Sequence, residues 1–173
     1  MLVTIRLDVL ICATIPMTLF ADAATNSADE IIALKAEIAA LKATTPSQSH
    51  AMMDVDYHFS NLWFAAQNEN WPLAAFYLNE TRSHLNWTVR LHPVRKLADG
   101  GDLDLAPILK SVEQGGLAQL KTAVERKDKK AFGVAYRETL SQCYACHQAA
   151  EKPYLRPHVP TGPATQIVDM QPK

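Results

Sequence analysis

Cysteine and glycine are both scarce in this 173-residue sequence, at three and six residues. So few glycines leave no loop of the kind that cradles phosphate, and three cysteines supply no second pair at the spacing a structural zinc site needs. Charge of either sign is not in surplus, since 17 Lys and Arg face 18 Asp and Glu. That balance offers no field for nucleic acid or an anionic membrane surface. No hydrolase-like constellation is present, and no stretch alternates with the period of a strand. A long apolar run is missing too: residues 7–20 are short for a membrane span and are interrupted by Asp8 and Pro16.

What that short run does suggest is export. A positive end at residues 1–6, the apolar stretch and the small residues Ala21-Asp22-Ala23 read as a secretory signal peptide over 1–23. An uncleaved anchor is the alternative reading. Cleavage would remove Arg6, Asp8, Asp22 and Cys12, leaving a formally neutral chain whose only cysteines are Cys143 and Cys146. The expected location is the periplasm, without stable membrane insertion once the leader is gone.

Those two cysteines stand in Cys143-Tyr144-Ala145-Cys146-His147, the spacing that carries covalent haem. On a helix, positions 143, 146 and 147 fall at i, i+3 and i+4, so both sulfurs and the imidazole share one face. One face can hold one planar group, with thioethers from the thiols and iron ligated by a nitrogen of neutral His147. Three other readings compete. A thioredoxin-like pair needs a strand before the motif, a zinc site needs more ligands, and a disulfide inside a helix would be strained. The cofactor expected is therefore a single covalently attached haem c.

Along the chain, Ile31, Leu34, Ile38 and Leu41 repeat at a and d positions within 29–42, flanked by Glu30, Lys35, Glu37 and Lys42. Two heptads form a miniature coiled-coil seam, marginal alone, which would add a homo-oligomer contact or dock on its own domain. Thr44-Thr45-Pro46-Ser47 breaks it, so 24–46 reads as heptad helix and linker. A helix over about 49–67 follows, capped near Ser47 or Ser49, with Met52, Val55, Phe59, Leu62 and Ala66 in one apolar stripe. Asn70 caps the next helix, which tolerates Pro72 and stops at His92-Pro93. Residues 96–104 read as a loop, and Gly115-Gly116 kinks or splits the helical pattern that follows. Asp128 caps the last helix, which carries Phe132, Tyr136, Leu140, Cys143 and His147 at spacings of three and four and ends before Pro153. The proline-rich tail 153–173 either wraps the body or stays disordered.

Four helical patterns with short connections predict an all-α fold, an antiparallel four-helix bundle over 47–152 with the haem inside. The motif near the end of the last helix, preceded by Phe132, Tyr136 and Leu140, resembles the cytochrome c-prime group and its low-spin relatives, over roughly 49–152. The stretches His58 to Ala65 and Asn70 to Ala74 are also similar to a set of exported haem-motif proteins. The N-terminal heptads and the long tail depart from the pattern. So do Lys152 and Arg156, which come later than the basic residue that usually follows the motif.

The resemblance implies that any sixth iron ligand comes from the first bundle helix, which points to Met52, Met53 or His58. A methionine on an apolar stripe is otherwise core filler, while a buried histidine needs some partner. His84, four residues after Glu80, is explained by an i, i+4 ion pair. Phe59, Trp63, Phe76 and Tyr136 would line the haem or simply form core. The resulting expectation is an electron-transfer protein, not an enzyme, working with redox protein partners. A five-coordinate haem protein binding nitric oxide or carbon monoxide is the alternative, and an oligomerising structural protein built on the heptads is a third.

Overall fold

The computed structural model describes residues 18–172, with side chains described from Ser27 onward. The expected leader, 1–23, therefore lies largely outside the described residues. Among them no helix is long and apolar enough to cross a membrane. The described residues are all-α apart from one short hairpin, and the chain divides into two units at Thr45 and Pro46.

Among the described residues the first unit holds one helix, α1 (Thr18–Ala43), with Thr44 Oγ1 donating to Leu41 O at its end. Its a and d residues Ile31, Leu34, Ile38 and Leu41 are about half exposed or more in the lone chain.

The second unit contains α2 (Gln48–Gln67), α3 (Trp71–Leu91), β1 (Val94–Lys96), β2 (Asp102–Asp104), α4 (Leu105–Gln114), α5 (Gly116–Glu125) and α6 (Lys129–Ala149). Each start is set locally. Ser47, Asn70, Asp104 and Asp128 accept from the backbone N–H groups of His50, Leu73, Ala106 and Ala131, which the first turn leaves without a partner. Three of the ends use a left-handed residue that is not glycine: Glu69, Lys127 and Glu151. In each case the next residue's N–H reaches back to the last turn, Asn70 to Ala65 O, Asp128 to Ala123 O and Lys152 to His147 O. These six-to-one bonds satisfy carbonyls that would otherwise be orphaned, which offsets the roughly 1–2 kcal/mol cost of the left-handed backbone.

The core lies where α2 packs along α3, α5 along α6, and α3 bridges to α4 and α5. Phe59, Leu62, Trp71, Tyr77, Phe132 and Tyr136 are among its large members. Gly115 and Gly116 split the third helical pattern into α4 and α5 and bring the α5 N-terminus tight against Thr139.

One region differs from the sequence expectation, and a second follows one of the two courses it left open. Residues 96–104 are not a plain loop: β1 and β2 pair antiparallel, with Arg95 opposite Leu103 and a Lys96–Asp102 ion pair. Three residues per strand are too few for any alternation to show. The tail also takes one of its two courses. It runs back along α2, where fully buried Asn61 accepts N–H groups from Ala164 and Thr165, and Met170 joins the core.

Candidate functional site

Helix α6 runs antiparallel to α2, and their register can be read residue by residue. Lys129 Nζ donates to Gln67 O, Trp63 lies against Phe132, and Tyr136 donates its hydroxyl to Phe59 O at 2.9 Å. At the other end Arg95 ties the two helices, with Nη1 donating to Gln48 Oε1 and Nε to Ala150 O. Seven residues, or about 10 Å of helix, separate both Phe59 from Met52 and Tyr136 from Cys143. Met52 therefore stands level with Cys143, while His58 stands level with Arg137, far up the helix from the motif.

The motif lies within the last two turns of α6. Cys143, Cys146 and His147 are half-buried, and both thiols are free. Burial, with the neighbouring Cys146, pushes the Cys143 thiol up to about 12, and burial also raises Cys146. His147 Nδ1 lies 2.7 Å from Leu155 O. A carbonyl can only accept, so that bond fixes the proton on Nδ1 and leaves Nε2 with its lone pair. The bond is a product of the chain reversal at Glu151, whose left-handed backbone turns residues 152–156 back over the motif. Tyr144 donates to Pro153 O and the Arg156 guanidinium lies over the Tyr144 ring in the same reversal. Lys152 Nζ, for its part, donates to Tyr154.

The hairpin closes this end of the unit. Besides the Arg95 bonds, Ala98 N–H donates to Glu151 Oε2 at 2.7 Å. Ala51, Val55, Leu105 and Leu109 are buried yet stand outside the main core cluster. Two of these, Ala51 and Val55, lie in the same α2 turns that flank Met52.

The candidate distal residues are placed very differently. Met52 is half-buried and shares the line of Asp56, Phe59 and Trp63 that faces Tyr136 on α6. Met53 is 65% exposed. His58 turns to α3, where its ring stacks on His84 with centroids 4.7 Å apart and has Tyr57 and Tyr77 for neighbours. Burial first, then the His84 charge, holds His58 below the usual imidazole range, against opposing pulls from Glu80 and Asp54. His84 is more than half of an ion pair: Glu80 lies 3.8 Å from its Nε2 and Asp54 3.6 Å from its Nδ1.

Among the aromatic residues, Phe59 and Tyr136 stack at 4.3 Å, nearly parallel, with Trp63 and Phe132 beside them. This is a core stack about two turns from Cys143. Burial raises the Tyr136 phenol well above its usual range. Phe76 is largely exposed.

Comparison with protein families, curated proteins and solved structures finds no match to this chain. The site must therefore be read from its own chemistry. Two thiols and an imidazole on one helix face, with Nδ1 of that imidazole already spoken for, are a donor set that fits a covalently tethered haem: the nitrogen left free is one that can ligate iron. Sequence reasoning did not find the Leu155 carbonyl, the hairpin closure or the His58–His84 pairing. The last did leave a signal, since Asp54/His58 and Glu80/His84 repeat the same i, i+4 spacing on consecutive helices.

Proposed function

We propose that this chain is an exported, periplasmic monohaem c-type cytochrome that transfers single electrons, built as a cytochrome c-prime-like antiparallel four-helix bundle. In that build α4 and α5 together count as the third helix. The observation that carries the reading is the His147 Nδ1 bond to Leu155 O beneath a Cys-x-x-Cys-His motif. A hydrogen bond from the remote nitrogen orients a ligating ring and raises its basicity.

When bound, the haem supplies a one-electron Fe(III)/Fe(II) couple. The chain's own residues do the rest. Cys143 and Cys146 would tether the group and His147 Nε2 would ligate it, while the Leu155 carbonyl keeps the proton on the opposite nitrogen. Ala51, Val55, Leu105 and Leu109, buried outside the main core cluster, would give the group apolar neighbours that exclude water. Met52 is the distal residue of choice, because it alone of the three candidates is level with the motif and on the line of α2 that faces α6. The balanced surface fits redox protein partners that dock without strong electrostatic steering, and no nucleic acid.

A second reading, five-coordinate haem binding nitric oxide or carbon monoxide, draws on the same geometry. With His58 engaged on α3 and Met53 exposed, one thioether separates a closed iron from an open one. Absorption spectra of the protein produced in a periplasm with haem-attachment machinery distinguish the two. A sharp reduced band unmoved by carbon monoxide, becoming sensitive to the gas in Met52→Ala, is the expected result. Sensitivity in the native chain would favour the gas-binding reading. Absence of covalent haem would remove both.

A further inference from the structure

His58, Glu80 and His84 bring one potential ligand atom each to within 4.8 Å of one another on the α2–α3 face. We propose that these three side chains form a binding site for a divalent transition-metal ion of the zinc class, separate from the haem-motif end of the unit. His58 Nδ1 and His84 Nδ1 are both buried and neither has a hydrogen-bond partner. Glu80 and Asp54 approach His84 at 3.8 and 3.6 Å, beyond hydrogen-bond reach. Two imidazoles stacked at 4.7 Å with no bonds to hold them are poorly explained by ion pairing, since protonating both would set two cations face to face. A cation held by His58, Glu80 and His84 Nε2 would give the cluster its missing partner, with Asp54 left to draw up to His84 Nδ1.

Two imidazoles and a carboxylate suit zinc, which takes N and O donors at about 2.0–2.2 Å and keeps an open position when only three ligands are protein-borne. Tetrahedral donors lie about 3.3 Å apart, so the three side chains need only close by 1–2 Å through rotation about their own bonds. Helix geometry supplies the frame. Glu80 and His84 are one turn apart on α3, and Asp54 and His58 one turn apart on the antiparallel α2. Asp54 faces the Nδ1 of His84 while Glu80 faces its Nε2. That arrangement gives Asp54 a positioning role, holding the ring so that Nε2 points at the ion, as carboxylates behind metal-bound histidines do. Tyr57, Tyr77 and Trp87 wall the histidines. His84 and Glu80 side chains remain 27% and 37% exposed, which leaves the ion a way in.

The site does not depend on the haem reading, because it uses none of Cys143, Cys146, His147 or Met52. Calorimetric titration of zinc chloride into the chelator-washed, purified full chain at pH 7.5 tests it. The expected result is one zinc per chain, with affinity reduced about 100-fold in His58→Ala and His84→Gln and about 10-fold in Asp54→Asn. His158→Ala, on the tail, leaves binding unchanged. Glu80→Gln, isosteric and partly exposed, keeps the test decisive if a histidine variant does not fold, and it too must weaken binding. Failure to take up one zinc, or uptake indifferent to the Glu80 and histidine variants that fold, would overturn the proposal. The visible spectrum of the same sample reports haem separately, and if no haem is attached the titration is repeated in Cys143→Ser with Cys146→Ser, which removes the thiols as competing zinc ligands, so the two readings fail independently.

Discussion

Replacing Gly116 with alanine should destabilise this protein more than any other glycine substitution in the second unit. A Cβ built there would overlap Thr139 Oγ1 and lie 2.9 Å from the Thr139 backbone. Carbon atoms pack at about 3.5–4.0 Å, so α5 must retreat from α6 by roughly 0.6–1 Å at a point where the obstacle is main chain. Overpacking of this kind costs about 1–3 kcal/mol, and the better helix propensity of alanine returns less than about 1 kcal/mol of it at a helix's first residue. The net loss, about 1–2 kcal/mol, lowers Tm by about 3–10 °C for a domain of this size. Gly133→Ala is the control. It meets only the flexible Arg137 guanidinium at 3.4 Å and should be neutral or stabilising. Thr139→Ala in the Gly116→Ala background should recover only part of the loss, since the overlap with the residue 139 main chain persists. Urea unfolding of the purified variants measures all three. The displacement also reaches the motif, because Gly116 N–H donates to Gln142 Oε1, next to Cys143. A Gly116→Ala protein as stable as Gly133→Ala would refute the close-approach reasoning.

Asn61→Ala removes the acceptor for two tail N–H groups, one of them buried, and should cost about 2 kcal/mol while making residues 157–172 more sensitive to limited proteolysis; unchanged cleavage would mean the tail is held by Met170 alone. In the haem-free chain the Cys143 thiol, pushed up to about 12, should resist alkylation at pH 8–9 far longer than in a denatured control. The unfolded thiol ionises near 9 and the folded one near 12, so the stability it contributes is present below pH 9 and is lost as pH rises through that window. Alkylation at the denatured rate would contradict it. Deleting residues 24–45 should leave thermal stability of the second unit within about 1 kcal/mol while abolishing any self-association seen by sedimentation, since the a and d side chains of α1 are exposed in the lone chain. An unchanged sedimentation coefficient per chain mass would remove the heptads from any assembly role.

Features that depend on neighbours within about four residues were legible in the chain directly. The caps Ser47, Asn70 and Asp128 could be read because a side-chain oxygen one residue before a helical pattern can satisfy the first free N–H groups. The common face of Cys143, Cys146 and His147 followed because helix periodicity alone fixes it. The break at Gly115-Gly116 was visible as a kink or a split, though not that the resulting α5 would press on Thr139.

Packing settled whatever depends on how one helix is rotated against another. Met52, Met53 and His58 point to different sides of α2, and only the packing of α6 and α3 against it set Met52 level with Cys143, left Met53 exposed and brought His58 onto His84. Asn61 reaches the tail across more than a hundred residues, and Arg95 joins the ends of α2 and α6 from a strand too short to show its own periodicity. The His147 bond to Leu155 lies between these cases: eight residues apart, yet made by the left-handed turn at Glu151, a conformation that side-chain type alone does not announce. Local rules specified the helices and the donor set, because those energies are summed within a turn. Which donors meet across the unit was set by tertiary structure, because only a filled core fixes the rotation and register of each helix.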